Sequence, residues 1–362
     1  MTGFFAESVQ PGAVTICVDA CCAPNRRNFL KNMATFAAGA ALPSSALGQG
    51  TSPARKIIDM HHHCYSPRMK EALARGGSLA PFIRDWTLSR TVEELDKNGV
   101  SKAVLSLSSI PSEWFRMDKD ALRGLVRGLN EDGAQMLRDA PNRFGLFAFL
   151  SISDVEGTLK EIEYVFDVLK ADGVGITTSY GDKWPGDPAF APVFAELNRR
   201  KAIVYFHPGA PFCCGALVPN VGDSLIEYPQ DTNRAVLSLM FSGAFKRYPD
   251  IRWIFSHGGG TLPMLAARID HLSKNAKNRA EFAPNGVEAE LRKLYFETAN
   301  ATSAPALAAL TKLMPVSQIM FGTDFPYLSV AQNLEGLHAG GFNDADMVAI
   351  ESGNAMKLIP RL

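Results

Sequence analysis

Hydrophobic and polar positions follow two different periods along the chain from Lys56 to the C-terminus. Short runs of β-branched and aromatic residues are separated by longer segments in which apolar residues recur every three or four positions. The first pattern predicts buried strands, and the second predicts amphipathic helices that cover them. Eight strands are predicted, at 57–61, 103–108, 144–150, 174–178, 203–207, 252–257, 295–298 and 318–323. Helices are predicted between and after them, at 91–97, 121–138, 155–170, 189–200, 232–246, 262–273, 304–313 and 346–358.

This order of elements predicts an α/β fold, a (β/α)8 TIM barrel. Eight strand–helix units over about 300 residues suit a barrel, because its parallel strands are buried on both faces and are continuous apolar runs in the sequence. A doubly wound open sheet is the alternative. No glycine-rich nucleotide turn follows the first strand, and polar residues collect at the C-terminal ends of several strands, so the barrel is favoured. One catalytic domain is expected at 55–362.

The first 50 residues differ in character from this pattern. The sequence Asn-Arg-Arg-Asn-Phe-Leu-Lys at 25–31 precedes a weakly apolar run at 33–42, and Ala-Leu-Gly follows at 46–48. The segment 1–50 resembles a twin-arginine export signal with its linker, which predicts an exported, periplasmic protein. The alternative is an N-terminus without fixed structure. The apolar run is too short, and too rich in alanine and glycine, to predict a membrane span.

The overall composition is that of an ordinary globular protein. The chain has 362 residues, of which 46% are hydrophobic and 20% charged, and its formal net charge is zero. A neutral chain lacks the basic surface with which proteins bind nucleic acid or anionic membranes, so a small molecule is the expected partner. Six cysteines, three of them before residue 50, are too few for a disulfide framework. The adjacent Cys213 and Cys214 are expected to pack or to form part of a pocket wall.

Five of the seven histidines stand at predicted strand ends: His61, His62 and His63 after the first strand, His207 after the fifth and His257 after the sixth. Side chains alternate between the faces of a strand, so His61 and His63 point together, while His62 points away and is expected to be structural or to support a ligand. Asp324 follows the eighth strand. In a barrel these ends meet in one mouth, where imidazoles and a carboxylate suit a divalent metal ion. For any one of these histidines alone, a buried structural role is the alternative.

These motifs resemble those of the amidohydrolase superfamily, in which His-x-His follows strand one, His follows strands five and six, and Asp follows strand eight. Two phrases are more specific: Ser-His-Gly-Gly-Gly-Thr-Leu-Pro at 256–263 and Phe-Gly-Thr-Asp-Phe-Pro at 321–326. They resemble the branch that contains aminocarboxymuconate semialdehyde decarboxylase and the aromatic acid decarboxylases. The likeness extends from Ile57 to about Leu358.

The resemblance implies a mononuclear metal site with one acid/base residue beside it. It makes His257 the acid/base residue. Binuclear members carry a lysine or glutamate at the end of strand four, where this chain has Gly-Ile-Thr-Thr-Ser at 175–179, so one ion is expected. Three imidazoles and a carboxylate favour zinc, and manganese is used by relatives. The implied ligands are His61, His63, His207 and Asp324.

The resemblance also implies how a substrate is held. Arg268 matches an arginine that reaches a substrate carboxylate in the neighbouring subunit of a homodimer, and Arg84 is a weaker match to a second carboxylate-binding arginine. A solvated helix arginine is the equal alternative for Arg268. Trp114, Phe212 and Tyr327 are candidate walls of an aromatic pocket, although aromatic residues after strands commonly serve packing.

The leading hypothesis is therefore a metal-dependent, non-oxidative decarboxylase of an aromatic or dienoic carboxylic acid, with His257 or Asp324 supplying a proton. A hydrolase of a lactone, ester or amide that uses an activated water is the alternative. A periplasmic metal-binding module without activity is disfavoured, because a closed structural site has no use for His257.

Overall fold

Eight parallel strands follow one another in chain order in the computed structural model, which describes residues 56–181 and 183–362. They are β1 (Ile57–His63), β2 (Val100–Ser106), β3 (Phe144–Phe149), β4 (Gly173–Thr177), β5 (Ile203–His207), β6 (Arg252–Phe255), β7 (Tyr295–Glu297) and β8 (Ile319–Met320). Backbone bonds join the last strand to the first: the amide of Met60 donates to the carbonyl of Phe321, and the amide of Asp324 to that of His61, both at 2.9 Å. The predicted TIM barrel is confirmed.

Helices alternate with the strands and cover the barrel from outside, as a βα repeat requires. They are α1 (Pro67–Ala74), α2 (Pro81–Arg84), α3 (Leu88–Lys97), α4 (Lys119–Asp139), α5 (Val155–Asp167), α6 (Ala191–Arg199), α7 (Asp223–Phe241), α8 (Ala244–Arg247), α9 (Leu262–Ser273), α10 (Arg279–Phe282), α11 (Val287–Leu291), α12 (Ala304–Leu313), α13 (Val330–His338), α14 (Asp344–Val348) and α15 (Asn354–Leu358). Short 3-10 turns occur at Ser112–Arg116, Pro188–Phe190, His257–Gly259 and Val316–Gln318, and a π-helical turn at Ala349–Gly353.

Each predicted element overlaps an observed one, with ends that often differ by two or three residues, and there are three larger differences. Helix α7 begins at Asp223, nine residues before the predicted start. The prediction missed its first turns because Pro229 lies inside the helix, and a proline in a sequence usually indicates a helix end. The predicted closing helix is divided by the π-helical turn. Five helices that the pattern did not indicate are present: α1, α2, α10, α11 and α13.

The apolar side chains form an inner and an outer layer. The inner layer fills the barrel and includes Ile58, Met60, Phe147, Tyr205 and Met320. The outer layer lies between the strands and the helices and is the larger of the two. Because both faces of the strands are covered, the polar residues at the strand ends are held on a rigid, buried support.

The predicted export signal and linker at 1–50 lies outside the described residues. Among the helices that the structure describes, none combines the length and the apolar character needed to cross a bilayer.

Candidate active site

Three imidazoles and one carboxylate converge at the C-terminal end of the barrel. The ligand atoms of His61, His63, His207 and Asp324 all lie within 4.8 Å of one another, and all four residues are buried. Asp324 Oδ1 is 3.0 Å from His63 Nε2 and 3.2 Å from His61 Nε2. These residues come from β1, β5 and the segment after β8, so strands far apart in sequence supply one cluster. We call these four residues the cavity floor.

The outer nitrogens of the three imidazoles explain how the rings are aimed. His61 Nδ1 donates to Glu297 Oε1 at 2.8 Å, and His207 Nδ1 donates to the carbonyl of Pro208 at 3.0 Å. His63 Nδ1 faces the carbonyl of Ser106 at 3.4 Å. With the Nδ1 atoms engaged in this way, the three Nε2 atoms face the centre of the cluster and are the ring atoms available to a bound cation.

His207 Nε2 tests whether this cluster fits a metal ion. The atom is buried, and within the described part of the chain it has no hydrogen-bond partner. A buried nitrogen without a partner is costly, and a cation bound there would satisfy it together with the three other donors. Nitrogen and carboxylate donors in this number suit a single divalent ion.

Glu297, at the end of β7, supports the cavity floor from below. Its Oε1 accepts the ring proton of His61 and the amide of His257, both at 2.8 Å, and its Oε2 accepts the amide of Ala299 at 2.7 Å. A side chain at Gly322 would collide with the Glu297 carboxylate, so a glycine is required where the segment after β8 passes Glu297. Carboxylate–histidine pairs of this kind fix the ring orientation and increase ligand basicity.

His62 faces away from the cluster, as predicted from the alternation along β1. Its Nδ1 pairs with Asp59 Oδ2 at 2.8 Å, and its ring stacks on Phe325 with the centroids 4.8 Å apart. Asp59 also accepts the hydroxyl of Thr323. His62 thus helps to join β1 to the segment after β8, which holds Asp324 in place.

Asp324 of the floor and two residues beside it, His257 and Asn300, adopt left-handed backbone conformations, with φ angles of 62°, 55° and 56°. Each stands just past the end of a strand, β6, β7 or β8, where such conformations direct a side chain into the mouth. Asn300 Nδ2 donates to Asp324 Oδ2 at 2.7 Å, and His257 Nε2 lies 3.4 Å from the same oxygen. One oxygen of Asp324 thus faces the imidazoles of the floor and the other faces His257 and Asn300.

Burial and neighbouring charges shift the pKa values of the floor residues in different directions. Burial lowers the pKa of His61, but the negative charges of Glu297 and Asp324 outweigh it and raise that pKa to about 10. Burial lowers the pKa of His63, and it holds the pKa of His207 well below its ordinary value. Burial raises the pKa of the Asp324 carboxyl, but His61 and the hydrogen bonds around it bring that pKa well below the usual range. A neutral His207 and an ionised Asp324 are the forms that bind metals.

A cavity of about 830 Å³ opens above the floor. His207, His257 and Asp324 line its base, and its sides come from α7, α9, α12 and the segment after β8. We call the side chains of these sides, which include Leu225, Tyr228 and Tyr327, the cavity wall. The volume is sufficient for a small aromatic molecule.

The predicted substrate-binding residues lie apart from this cavity. Arg268 is on an exposed turn of α9, and Arg84 is exposed and forms a two-point ion pair with its neighbour Asp85 at 2.8 and 2.9 Å. Trp114 is buried in the outer core layer, and the Arg116 guanidinium stacks over the Phe212 ring. None of the four predicted residues is among the described side chains that line the cavity, so their roles stay predictions.

The predicted wall residue Tyr327 does line the cavity. Cys213 and Cys214 form a vicinal disulfide in the segment after β5, where the sequence predicted only packing or a pocket wall.

Two polar residues of the site were not identified from the sequence. Glu297 is a single carboxylate at the end of a three-residue strand, and Asn300 follows it in an ordinary Thr-Ala-Asn sequence. The available signal was the placement of Glu297, because a charged residue at the end of a buried strand needs a partner.

Comparisons with known proteins agree with this geometry. A family model described as Amidohydrolase matches residues 58–361. The 6-methylsalicylic acid decarboxylase of Penicillium expansum is 32% identical over 313 residues, which cover 84% of this chain and 96% of that protein. The 2-amino-3-carboxymuconate-6-semialdehyde decarboxylase of Dictyostelium discoideum is 26% identical over 331 residues, which cover 83% of this chain and 91% of that protein.

A solved structure shares the fold. The 5-carboxyvanillate decarboxylase of Novosphingobium aromaticivorans, crystallised with manganese and 4-hydroxy-3-methoxy-5-nitrobenzoic acid, superposes with a TM-score of 0.76 at 20% identity, covering 84% of this chain and 96% of that one. The family match spans almost the whole described chain, and it includes every residue of the cavity floor. The chain therefore belongs to the amidohydrolase family, in the branch of the aromatic acid and aminocarboxymuconate semialdehyde decarboxylases.

Proposed function

We propose that the protein is a metal-dependent, non-oxidative decarboxylase of an aromatic carboxylic acid. The observation that carries this proposal is the cavity floor itself: three imidazoles and Asp324 surround one point at the base of a cavity, and His257 stands beside Asp324. Relatives with this activity support it, among them the 6-methylsalicylic acid decarboxylase at 32% identity.

One divalent ion is proposed at the floor, held by His61, His63, His207 and Asp324. When bound, the ion supplies positive charge that holds a carboxylate or a neighbouring oxygen of the substrate. Zinc is supported by the three imidazoles, and manganese by the ion in the solved 5-carboxyvanillate decarboxylase. Metal analysis of the purified protein distinguishes the two, and two ions per chain would contradict a mononuclear site.

The residues of this chain supply the proton that decarboxylation requires. Breaking the bond between the ring and the carboxylate releases carbon dioxide and leaves the electron pair on the ring carbon, which must take up a proton. His257 is the proposed donor, because its Nε2 is 3.4 Å from Asp324 Oδ2 and the residue lines the cavity. Asp324 is the alternative donor, but the side chain of Asn300 already donates to its Oδ2 at 2.7 Å.

Hydrolysis of a lactone, ester or amide remains the alternative that an activated water at this site would permit. The two reactions differ in their products, since one releases carbon dioxide and the other releases an acid. The relatives described above are decarboxylases, which favours the first reaction.

The deciding experiment measures both products. Purified protein reconstituted separately with zinc and manganese is incubated with a panel of hydroxybenzoic acids and with a panel of lactones, while carbon dioxide and proton release are followed. We expect carbon dioxide from at least one aromatic acid, and its loss in His257→Ala with metal content unchanged. Lactone turnover without carbon dioxide from any acid would refute the proposal.

We propose that the chain is exported by the twin-arginine route. The support is the sequence itself, with paired arginines at 26–27 ahead of a modest apolar run. Replacing both arginines by lysine is expected to retain the protein in the cytoplasm of a host that has this pathway, as cell fractionation would detect. Periplasmic accumulation of that variant would contradict the proposal.

We propose a homodimer in which α9 forms part of the interface. Met264, Arg268 and Leu272 are spaced four residues apart and so share one face of the helix. Met264 and Leu272 are 75% and 66% exposed, which is unusual for large apolar side chains on one face. In such a dimer Arg268 would be available to the reacting carboxylate in the neighbouring subunit.

Light scattering after size exclusion tests this proposal. The wild-type protein is expected to have twice the chain mass, and Leu272→Asp is expected to shift it to the monomer. A monomeric wild type would contradict the interface.

A further inference from the structure

The peptide unit that follows His207 is held at both ends. Its carbonyl, that of Pro208, accepts the ring proton of His207 from Nδ1 and the hydroxyl proton of Ser109, both at 3.0 Å. Its amide, that of Gly209, donates to the hydroxyl oxygen of the buried Thr178 at 3.2 Å. The acceptor that aims the His207 ring is therefore part of a peptide unit whose other end has a fixed partner.

The hydroxyl of Thr178 has a defined hydrogen-bond direction. It donates its one proton to Asp231 Oδ2 at 2.5 Å, so its oxygen is the acceptor for the amide of Gly209. Thr178 comes directly after β4, beside the end of β5, and its own amide donates to the carbonyl of His207 at 3.2 Å. The Thr178 hydroxyl thus stands between a residue of the cavity floor and a carboxylate on α7.

Asp231 is a buried carboxylate that the proposed reaction does not use. Its side chain has no exposed surface, and its Oδ1 accepts the indole N–H of Trp184 at 2.7 Å. Arg234 Nη1 lies 3.7 Å from the same oxygen. Burial raises the pKa of this carboxyl, and the bonds from Thr178 and Trp184 oppose that shift. A carboxylate with a partner on each oxygen is fixed in its orientation.

These contacts form one unbroken series of hydrogen bonds from a carboxylate to a proposed metal ligand. In order, the series contains Asp231 Oδ2, the Thr178 hydroxyl, the peptide unit of Pro208 and Gly209, and His207 Nδ1. Every bond in it donates towards Asp231, so each bond polarises the next, and a negative charge at one end strengthens the bond at the other. We call this series the His207 relay.

The relay gives His207 a connection that His61 has directly. His61 donates to the carboxylate of Glu297, whereas His207 donates to a carbonyl that the relay joins to a carboxylate. A carboxylate behind a histidine fixes the ring and makes its other nitrogen a stronger ligand. The relay therefore both orients His207 and increases the donor strength of its Nε2.

We propose that Asp231 and Thr178 are positioning residues of the metal site, and that they act on His207 through the peptide unit of Pro208 and Gly209. Neither is among the described side chains that line the cavity, so their effect on the site passes through His207. This role rests on the proposed ion at the floor, and it is the same whether the site decarboxylates or hydrolyses. The alternative role for Asp231 is to fasten α7 to the barrel without any effect on the metal.

Two substitutions separate these roles, because they remove different hydrogen bonds from the same carboxylate. Thr178→Val breaks the relay, whereas Trp184→Phe removes the donor to the other oxygen of Asp231, outside the relay. Competition with a chelator measures the affinities for zinc and manganese, and thermal unfolding of the metal-free protein measures stability. We expect both variants to unfold at a lower temperature. Metal affinity is expected to fall about fivefold in Thr178→Val and by less than about twofold in the Trp184→Phe control.

Further variants test the hydroxyl and the charge separately. Thr178→Ser keeps the hydroxyl and is expected to restore the metal affinity of the wild type. Asp231→Asn removes the charge and is expected to weaken metal binding about as much as Thr178→Val. The double variant should be no weaker than either single one, because both act through one series of bonds. In the zinc-loaded protein, the NMR signal of the His207 Nδ1 proton should move upfield in Thr178→Val and stay in place in Trp184→Phe.

The outcomes distinguish a failure of the relay from a failure of the metal site. Metal affinity in Thr178→Val equal to that of the wild type overturns the relay. An equal loss of affinity in Thr178→Val and Trp184→Phe also overturns it, because Asp231 would then act through the fold of this region. Losses that add in the double variant overturn the shared path. Wild-type protein that binds neither zinc nor manganese refutes the ion and the relay together, whereas the other outcomes leave the ion in place.

Discussion

The cavity floor and the cavity wall are built in different ways. The floor consists of four buried residues at strand ends, with ring nitrogens aimed by Glu297 and by backbone carbonyls. The wall consists of side chains from helices and connecting segments, and Leu225 and Tyr327 in it are 72% and 43% exposed. The floor is thus held by the barrel, whereas the wall depends on how the outer helices pack.

This difference separates the chemistry from the choice of substrate. Strand ends of a barrel are fixed by the hydrogen bonds of the sheet, so ligands placed there keep their geometry while the segments after them vary. Loops and helix starts tolerate change at lower cost. Substitutions in the floor should therefore remove metal and activity together, and substitutions in the wall should alter affinity with the metal retained.

Removing a ligand should have the largest effect. His207→Ala leaves three donors and opens a space at the floor, and we expect metal content to fall and decarboxylation to drop about 10³-fold or more, since several kcal/mol of charge stabilisation is lost. Elemental analysis and carbon dioxide release measure the two effects. His271→Ala, at an exposed position on α9, is the control. Full activity in His207→Ala would show that the floor is not the site of chemistry.

The support beneath the floor should matter less than a ligand. Glu297→Gln replaces one carboxylate oxygen by an NH2 group, which cannot accept a hydrogen bond. Three donors contact the two oxygens of Glu297, so at least one of them loses its acceptor. We expect metal affinity to fall about 10- to 100-fold. Competition with a chelator measures it. Glu290→Gln, a buried glutamate that pairs with Lys293 away from the site, should leave metal affinity unchanged.

Asn300 stands at the boundary between the two regions. It donates to the Asp324 oxygen that faces His257 and also lines the cavity. Asn300→Ala should leave metal content unchanged and lower kcat about tenfold, because one hydrogen bond that positions Asp324 is lost. The exposed Asn275→Ala is the control. A loss of metal in Asn300→Ala would show that Asn300 is needed for metal binding, as the residues of the floor are.

The residues of the floor could be predicted from the sequence because they follow strands, and those of the wall could not because they depend on how remote elements pack. His61, His63, His207 and Asp324 each follow a recognisable apolar strand, and a closed barrel leaves one place where such ends can meet. Glu297 escaped notice because it follows a three-residue strand and belongs to no spaced motif.

The predicted wall residues depended on contacts between elements remote in sequence. Arg84, predicted to bind a substrate carboxylate, is paired with its neighbour Asp85 on the surface. Trp114 packs in the core instead of lining the cavity. The start of α7, which carries Leu225 and Tyr228, was missed because Pro229 concealed it. Periodicity indicates that a helix covers the barrel but not which of its residues reach the mouth.

The smallest expected effect is that of changing Tyr65, which contacts the wall residue Tyr327. Tyr65 is 1% exposed, does not line the cavity, and holds the hydroxyls of Ser108 and Tyr327 at 2.8 Å. Tyr65→Phe removes the hydroxyl that Ser108 and Tyr327 both contact, so the Tyr327 hydroxyl gains freedom while its aromatic ring keeps its edge-to-face contact with His63. We expect KM to change two- to fivefold, the free energy of unfolding to fall by about 1 kcal/mol, and metal content to stay constant.

Steady-state kinetics and thermal unfolding measure these changes. The control is Tyr164→Phe, because the Tyr164 hydroxyl bonds Glu131 on the surface. A tenfold loss of kcat in Tyr65→Phe would mean that the Tyr65 hydroxyl belongs with the chemistry of the floor, because a residue of the wall acts on binding and leaves the rate of the bound substrate nearly unchanged.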